Sequence, residues 1–470
     1  MAISFSLLFV VVLEAVAVYF AYLAIVGSRT PQGAVAWVVF LISAPYFAIV
    51  SYLFLGHRKF NDYVVARRAS QRVLDGMAQS RKSYPPRGDT QDVGYQVFET
   101  LAASPVVSGN AIKVLVDGAK TFDAIFDALE NAQSYILFQF YIIRDDALGQ
   151  DIQRRLVDAA RRGVAVYVLY DSVGSSRLPW GYINVLTDAG VKMLDTNALQ
   201  GPTNRLRVNF RNHRKTVIVD GRVGFTGGLN VGDEYMGRNP AFGHWRDTHC
   251  KVEGPIVSQL QLVFCEDWLW ATEDGLFDDL FWRPEPAPSN FDALIMATGP
   301  ADDLDTGNLY FCAMIRAARH RLWIASPYFV PDADIVSALK VAALKGIDVR
   351  ILIPEKADHW VTWLASFDYL DELREAGVVF WRYDNGFMHQ KVALVDDSIA
   401  AIGTHNLDNR SCALNFEASV LAFEEDVAKD VADMFKADFA QSRISTRTLS
   451  EQPLWIRLGA PVSRLFAPLL

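Results

Sequence analysis

Two stretches of this 470-residue chain carry the same reactive side chains at the same spacing. The first runs from His213 to Asn230 and reads HRKTVIVDGRVGFTGGLN. The second runs from His389 to Asn406 and reads HQKVALVDDSIAAIGTHN. A lone His-x-Lys pair is a weak motif. Two intact copies of His-x-Lys-x4-Asp-x6-Gly-[Gly/Thr]-x-Asn in one chain indicate a duplicated catalytic unit.

The residue types in this pattern suit chemistry at a phosphodiester. Lysines supply positive charge and hydrogen-bond donors to phosphoryl oxygens, and asparagines add neutral donors. One histidine can attack phosphorus and form a phosphohistidine, while the other protonates the leaving alcohol and then deprotonates the incoming one. Histidine suits both tasks because its unperturbed pKa of about 6.5 lies near neutral pH.

Each copy contains an apolar β-branched run, VIVD or VALVD, which predicts a buried strand. Side chains alternate between the two faces of a strand, so the His and Lys of one copy should share a face and meet substrate. The Asp lies an odd number of residues from the Lys, and in the first copy it precedes a glycine, which signals a turn. We therefore expect the two aspartates to be mainly structural. The candidate catalytic set is His213, Lys215, Asp220, His389, Lys391 and Asp396.

The ends of the two motifs are candidate substrate-binding positions. Small residues there let the backbone come close to a ligand, and the asparagine amide can donate to a phosphoryl oxygen. The candidate substrate-binding residues are Gly228, Asn230, Thr404 and Asn406.

One acidic residue follows each motif on a predicted strand. These are Asp247 in WRDTHCKV and Glu417 in NFEASVLAF. A carboxylate at such a position can accept the second N–H of a catalytic imidazole and so fix its tautomer. An ordinary structural salt bridge is the alternative for both residues.

These motifs resemble the phospholipase D superfamily and, within it, the bacterial cardiolipin synthases. The strings that carry the resemblance are RNHRK, FTGGLNVGDEY, HWRDTH, MHQKVALVDD and GTHNLDNRSCALNFE. The resemblance covers nearly the whole chain. It implies a two-domain α/β fold with one active site at a pseudo-two-fold interface, with His213 as nucleophile and His389 as general acid and base. It also implies that a carboxylate after the motif supports each histidine.

The beginning of the chain is strongly apolar. Residues 3–26 carry one charge, and residues 33–55 carry none. A bilayer span needs about 20 apolar residues, so we expect a two-helix transmembrane hairpin within residues 1–57. A cleaved signal peptide or a pair of buried core helices is the alternative. The basic linker at 58–105 predicts a cytoplasmic flank, and it could also hold anionic lipid headgroups.

Hydrophobic periodicity beyond the linker predicts an α/β fold. Phe122, Ile125, Phe126 and Leu129 recur at helical spacing, and strand–helix–strand alternation follows in both halves. The expected architecture is two phospholipase D-like α/β domains, at 106–283 and 284–470, with mainly parallel or mixed sheets flanked by helices.

The remaining features carry weaker signals. The four cysteines lack metal-ligand spacing, so we expect no cofactor and metal-independent chemistry. Trp268, Trp270, Trp360 and Trp363 could line an acyl-chain groove or a membrane-facing surface, although core packing is the commoner role of tryptophan. The tail PLWIRLGAPVSRLFAPLL either lies against the bilayer or caps the domain.

The resemblance and the apolar start together favour a membrane-bound phosphatidyl transferase. It would make cardiolipin and glycerol from two molecules of phosphatidylglycerol, in a multi-pass arrangement in a bacterial inner membrane with the catalytic domain cytoplasmic. A hydrolytic phospholipase D, or a transferase with another alcohol acceptor, is the nearest alternative. A nuclease is disfavoured by the formal net charge of −9, and an inactive membrane scaffold by the two intact motifs. The sequence does not reveal the oligomeric state.

Overall fold

The structure is a computed structural model, and it describes residues 2–28, 31–56, 82–87, 94–196, 210–272 and 274–470. It divides into two compact units. One contains the N-terminal helices, and the other contains the α/β part of the chain, with both copies of the motif. Most of the basic residues expected to flank the membrane lie outside the described residues.

The N-terminal unit contains helices α1 (Ala2–Gly27), α2 (Pro31–Ser43) and α3 (Pro45–Leu55). Within α1, Leu7–Gly27 is long and apolar enough to cross a membrane. The second predicted span is not one continuous helix, because the chain leaves helical geometry at Ala44 and restarts at a proline. A small apolar cluster joins the helices, with the Tyr52 ring 5.0 Å from Trp37 and 5.4 Å from Phe20.

The α/β unit begins with α4 (Tyr95–Ala102), which lies in the stretch that the sequence assigned to the linker. Tyr95 and Phe98 are buried beside Phe423, so this helix is part of the core. The first half then contains β1 (Val107–Val116), α5 (Asp117–Glu130), β2 (Tyr135–Phe140), α6 (Ala147–Arg161), β3 (Ala165–Tyr170), α7 (Trp180–Asp188), β4 (Lys192–Asp195), β5 (Arg211–Asn212), β6 (Thr216–Val219), β7 (Val223–Gly227), β8 (Trp245–Arg246), β9 (Thr248–Glu253) and α8 (Ile256–Thr272).

The second half repeats this order of elements. It contains β10 (Phe291–Thr298), α9 (Thr306–Ala317), β11 (Arg321–Ala325), β12 (Phe329–Val330), α10 (Ala333–Leu344), β13 (Asp348–Pro354), α11 (Trp360–Glu375), β14 (Val379–Tyr383), β15 (Phe387–Met388), β16 (Val392–Val395), β17 (Ile399–Gly403), β18 (Leu407–Asp408), α12 (Asn409–Ala413), β19 (Asn415–Ala422), α13 (Glu425–Ala440), β20 (Ser442–Ile444) and α14 (Leu454–Arg464).

One sheet runs through both halves. Its order is β4-β3-β2-β6-β7-β9-β1-β10-β19-β17-β16-β11-β13-β14-β20. The antiparallel β1–β10 pair lies at its centre, and the strands on either side correspond in order, so the halves are related by a pseudo-two-fold axis. The α/β fold class is confirmed, and the sheet is of the mixed kind. The βαβ units supply the parallel pairs β2–β3 and β11–β13, whereas the motif hairpins β6–β7 and β16–β17 are antiparallel.

Candidate active site

The two motifs meet because their lead-in segments pair with the opposite half. Strand β5, just before His213, pairs in parallel with Asn415–Phe416 of β19. Strand β15, just before His389, pairs in parallel with β8. In both motifs the strand begins one residue after the Lys, so the His and the Lys precede the strand. The backbone at each histidine instead donates to the other half, from His213 N to Phe416 O and from His389 N to Arg246 O.

This pairing gives each histidine the acid of the opposite motif. The His213 Nδ1 atom lies 2.9 and 3.0 Å from the two carboxylate oxygens of Glu417. The His389 Nδ1 atom lies 2.8 Å from Asp247 Oδ2. A carboxylate accepts, so each ring carries its proton on Nδ1 and presents Nε2 to substrate. Within the part of the chain that the structure describes, Nε2 of neither ring makes a hydrogen bond.

The two lysines are buried beside the histidines. The Lys215 ammonium donates to the carbonyl of His213 at 2.7 Å, and Lys391 donates to the carbonyl of His389 at 2.5 Å. Each ammonium has three donors, so the protein leaves part of its capacity for a ligand oxygen. Nζ of Lys391 also lies 3.0 Å from Nδ1 of His389. Because that nitrogen already donates its proton to Asp247, the contact is a close approach of the cation, which disfavours a charged His389 ring.

The aspartates of the motifs hold turns. Asp220 and Asp396 adopt left-handed backbone conformations, with φ of 54° and 50°. The Asp220 carboxylate accepts from the backbone N–H groups of residues 133–135, and the Asp396 carboxylate accepts from those of residues 319–321. These bonds fix the start of β2 and β11 against the end of each motif strand. The contacts of both aspartates are thus with turn and strand backbone.

The two asparagines predicted to bind substrate differ in their contacts with the protein. The Asn230 side chain accepts from Ile142 N and donates to the Tyr235 hydroxyl, so both of its ends contact protein. Asn406 differs, because its buried Oδ1 has no hydrogen-bond partner among the residues that the structure describes. An amide oxygen without a donor in the core can accept from a hydroxyl group of a ligand.

Gly228 and Thr404 make packing contacts. A Cβ atom at Gly228 would lie 2.0 Å from Asp247 Oδ1, so glycine there makes room for the acid that holds His389. The Thr404 hydroxyl accepts from Ala418 N at 2.9 Å, beside Glu417. Both positions thus lie beside the carboxylates that contact the histidines, and a ligand contact at either position stays a prediction.

Burial controls the protonation of the site. Burial lowers the pKa of His213 to about 4 and that of His389 well below its ordinary value, so both rings are neutral near pH 7. Burial also lowers the pKa of Lys391 to about 8 and that of Lys215 below its usual range. Below pH 8 Lys391 remains an ammonium in a water-poor setting, where its charge acts strongly on a bound anion.

The two acids differ in their protonation. Burial raises the pKa of Asp247 to about 6. Burial acts in the same direction on Glu417, but the charge and hydrogen bond of His213 outweigh it and hold the Glu417 pKa at about 2. Ser411 and Asn415 donate to the Glu417 carboxylate as well, at 2.8 and 3.1 Å.

Several aromatic residues beside the histidines were not singled out from the sequence. The Tyr141 ring meets His213 edge-on at 5.2 Å. The rings of Trp245 and Tyr328 lie 5.3 and 6.4 Å from His389. Their positions in the sequence could have indicated them. Tyr141 directly follows β2 and Tyr328 lies just beyond β11, and the ends of these strands approach the site.

Two buried ion pairs lie under the motifs. Arg214 Nη1 contacts Asp267 Oδ1 at 2.6 Å, and Asp267 also accepts from Gln139 and Asn212. Under the second motif Arg246 of the first half contacts Asp438 of the second half at 2.6 Å, and Gln390 donates to the same carboxylate. Among the described residues there is no group of three or more His, Cys, Asp or Glu that could hold a metal.

The chain has clear relatives among characterised families. The family model described as "Cardiolipin synthase, PLD-like domain" matches residues 125–268 and 311–439. Cardiolipin synthase A of Pseudomonas putida (strain W619) is 44% identical over 451 residues, covering 94% of each chain. Cardiolipin synthase A of Pseudomonas aeruginosa (strain LESB58) is 42% identical over 95% of this chain and 92% of its own.

A solved structure shares the fold. Phosphatidylserine synthase of Haemophilus influenzae Rd KW20 superposes with a TM-score of 0.60, covering 80% of this chain and 99% of its own. At 14% identity, that likeness concerns the fold alone.

Proposed function

The chain belongs to the cardiolipin synthase family with PLD-like domains, and from that membership we propose that it is a membrane-bound phosphatidyl transferase that converts two phosphatidylglycerol molecules into cardiolipin and glycerol. The observation that carries the proposal is the pairing of each motif histidine with the acid of the opposite half. That exchange builds one site with two imidazoles and two ammonium groups, which is the set that a two-step transfer at phosphorus requires.

In the first half-reaction Nε2 of His213 attacks the phosphorus of one phosphatidylglycerol. The P–N bond forms as the P–O bond to the headgroup glycerol breaks, and His389 gives its Nε2 proton to the departing oxygen. Glu417 stabilises the positive charge that develops on the His213 ring. Lys215, Lys391 and the amide nitrogen of Asn406 donate to the phosphoryl oxygens.

The general acid must be protonated before this step, although the free site keeps His389 neutral. Lys391 and Lys215 both lower its pKa. A bound phosphodiester carries one negative charge, which offsets the two ammonium groups and raises the pKa of His389. Substrate binding therefore loads the proton that the leaving alcohol needs.

In the second half-reaction a headgroup hydroxyl of another phosphatidylglycerol attacks the phosphohistidine. His389 takes the hydroxyl proton, the P–N bond breaks, and His213 is restored. Two in-line displacements at one phosphorus predict overall retention of configuration. The two pairs thus have separate tasks. His213 is the nucleophile and Glu417 orients it, while His389 is the acid–base catalyst and Asp247 orients it.

Transfer in place of hydrolysis requires a lipid alcohol to outcompete water. The burial of both histidines and both lysines supports a water-poor site. Membrane association is supported by the apolar stretch Leu7–Gly27. We extend this to a multi-pass arrangement in a bacterial inner membrane, with phosphatidylglycerol and cardiolipin as its lipid partners and the catalytic unit on the cytoplasmic side.

Product analysis tests the proposal. Purified full-length protein is given phosphatidylglycerol alone in mixed micelles containing a metal chelator, and lipids and released glycerol are quantified. Cardiolipin and glycerol in equal amounts are expected. Phosphatidic acid with glycerol would make the protein a hydrolase. The matched control is His213→Ala, which must abolish both products.

A further inference from the structure

The last helix of the chain has two apolar stripes. Ile456, Ala460 and Ser463 of α14 face inward and are buried. The second stripe is exposed to solvent, with exposed fractions of 52% for Trp455, 65% for Leu458, 57% for Val462 and 78% for Leu465. Large apolar side chains repeated along the open face of a helix are unusual for a face that meets only water.

The start of α11 extends this face. Trp360 is 60% exposed, and Val361 beside it is also exposed. The Trp455 ring stacks on Trp363 at 6.1 Å and lies 6.1 Å from Trp360, so α11 and α14 present a continuous patch. We call this patch the C-terminal apolar surface, and its members are Trp360, Val361, Trp455, Leu458, Val462 and Leu465.

The C-terminal apolar surface begins beside the catalytic residues. Asp358 lies two residues before Trp360, and its carboxylate accepts from the Tyr328 hydroxyl at 2.5 Å. The Tyr328 ring is the one that meets His389 at 6.4 Å. Tyr328 follows the C-terminal end of β11, and Asp358 and Trp360 follow that of β13, so the surface starts at the edge of the sheet that carries the site.

The pseudo-two-fold axis places a matching tryptophan in the first half. Helix α7 follows β3 as α11 follows β13, and α7 begins at Trp180, whose side chain is exposed. Exposed tryptophans thus occupy equivalent positions in the two halves around the shared site. Tryptophan is the side chain that proteins place at membrane–water interfaces.

We propose that the C-terminal apolar surface docks the catalytic unit on the lipid bilayer, so that phosphatidylglycerol reaches the histidines directly from the membrane. This rests on the proposed function, because a lipid substrate explains why an apolar surface adjoins a buried phosphodiester site. Arg457 is exposed on the same helix, as suits an anionic membrane surface. The docking acts in addition to any membrane contact of the N-terminal helices.

The test compares two chemically matched double variants of the full chain. Leu458→Ser with Val462→Ser removes apolar area from the docking surface. Val341→Ser with Leu344→Ser removes the same side-chain types from exposed positions on α10. Helix α10 ends at the edge of the sheet where β13 begins, opposite to the site. All four side chains are more than half exposed, so neither variant leaves a cavity in the core.

Turnover is measured with phosphatidylglycerol in nanodisc bilayers and with short-chain phosphatidylglycerol held below its micelle concentration. The Leu458/Val462 variant is expected to lose about tenfold on bilayers and nothing on monomeric lipid, because only bilayer substrate requires docking. The Val341/Leu344 variant should match wild type on both. Unchanged turnover on bilayers, or an equal loss on both substrates, would overturn the proposal.

A spin label gives a readout that does not depend on activity. Leu458→Cys and, as control, Leu344→Cys are labelled in a Cys312→Ala background in nanodiscs. The label at 458 should collide with oxygen from the lipid phase, and the label at 344 with a water-soluble nickel complex. A water-exposed label at 458, or broadening caused by a second copy of the chain, would overturn docking. If wild type makes no cardiolipin but the label at 458 lies in lipid, the proposed function fails while the docking surface stands.

Discussion

The imidazole of His213 donates from Nδ1 to the carboxylate of Glu417, a residue 204 positions later in the opposite half. His389 and Asp247 make the reciprocal bond at 2.8 Å. Neither half therefore contains a complete nucleophile or a complete acid–base catalyst. Each half depends on the other for its histidine–acid pair, and the central β1–β10 strands join the two halves.

Because each acid orients a histidine with a different task, substitutions of Asp247 and Glu417 should impair different steps. The substrate phosphatidyl p-nitrophenol separates these steps, since its leaving group needs no general acid. Asp247→Asn should retain a burst of about one nitrophenol per site and then turn over slowly, because only acceptor deprotonation is impaired. Glu417→Gln should slow the burst itself, by about 10²-fold, because His213 loses its orienting carboxylate. Stopped-flow absorbance measures both. Equal burst rates in the two variants would contradict the assignment.

The pH dependence of kcat/KM should be bell-shaped. Asp247 must be ionised to accept from His389, and its pKa is about 6, so activity rises as the pH increases through 6. Lys391 must be protonated to hold the phosphoryl group, and its pKa is about 8, so activity falls as the pH increases through 8. Asp247→Asn should remove the acidic limb and keep the basic one. An acidic limb that persists in that variant would assign it to another group.

Binding of a phosphoryl anion should take up a proton. The anion offsets Lys215 and Lys391, which raises the pKa of His389 from its depressed value. Isothermal titration calorimetry with inorganic phosphate near pH 7, in two buffers of different ionisation enthalpy, measures the uptake after correction for the phosphate itself. His389→Ala is the control and should lose the uptake while retaining the lysines. Equal proton uptake in both proteins would show that His389 is not the group loaded.

The buried Arg214–Asp267 pair should be important for stability. Asp267→Ala leaves the buried guanidinium without its carboxylate, which is expected to lower the free energy of unfolding by about 3–5 kcal/mol. Thermal unfolding of the full chain in detergent provides the comparison. Asp151→Ala, which breaks the exposed Arg154–Asp151 pair, is the control and should leave Tm nearly unchanged. A small effect of Asp267→Ala would mean that water reaches Arg214.

Sequence reasoning reached the local features of the site and missed the non-local ones. The duplication, the βαβ units and the turn role of Asp220 depend on neighbouring residues, which the spacing displays directly. The exchange of acids between motifs depends on strands of two residues, β5 and β15, which pair across the halves. Segments that short carry no periodicity. The sequence therefore identified Asp247 and Glu417 as candidate orienting acids but did not show which histidine each of them contacts.

The second apolar span shows a related difference. The composition of residues 33–55 predicts a span because the stretch is uncharged and apolar. It does not show the break at Ala44, which arises because Pro45 has a fixed φ and no backbone N–H. The composition of the C-terminal tail likewise allowed two interpretations, a contact with the bilayer or a cap on the domain. Burial of Ile456 and exposure of Leu458 distinguish the stripe that caps the domain from the stripe left for a partner.

Trapping of the covalent intermediate tests the central claim most directly. Protein carrying His389→Ala is mixed with phosphatidyl p-nitrophenol labelled with ³²P, quenched in alkali and digested. Label on the peptide that contains His213, close to one per chain and stable to base but lost in acid, is the expected result. No label on that peptide, or label on another residue, would contradict transfer through His213.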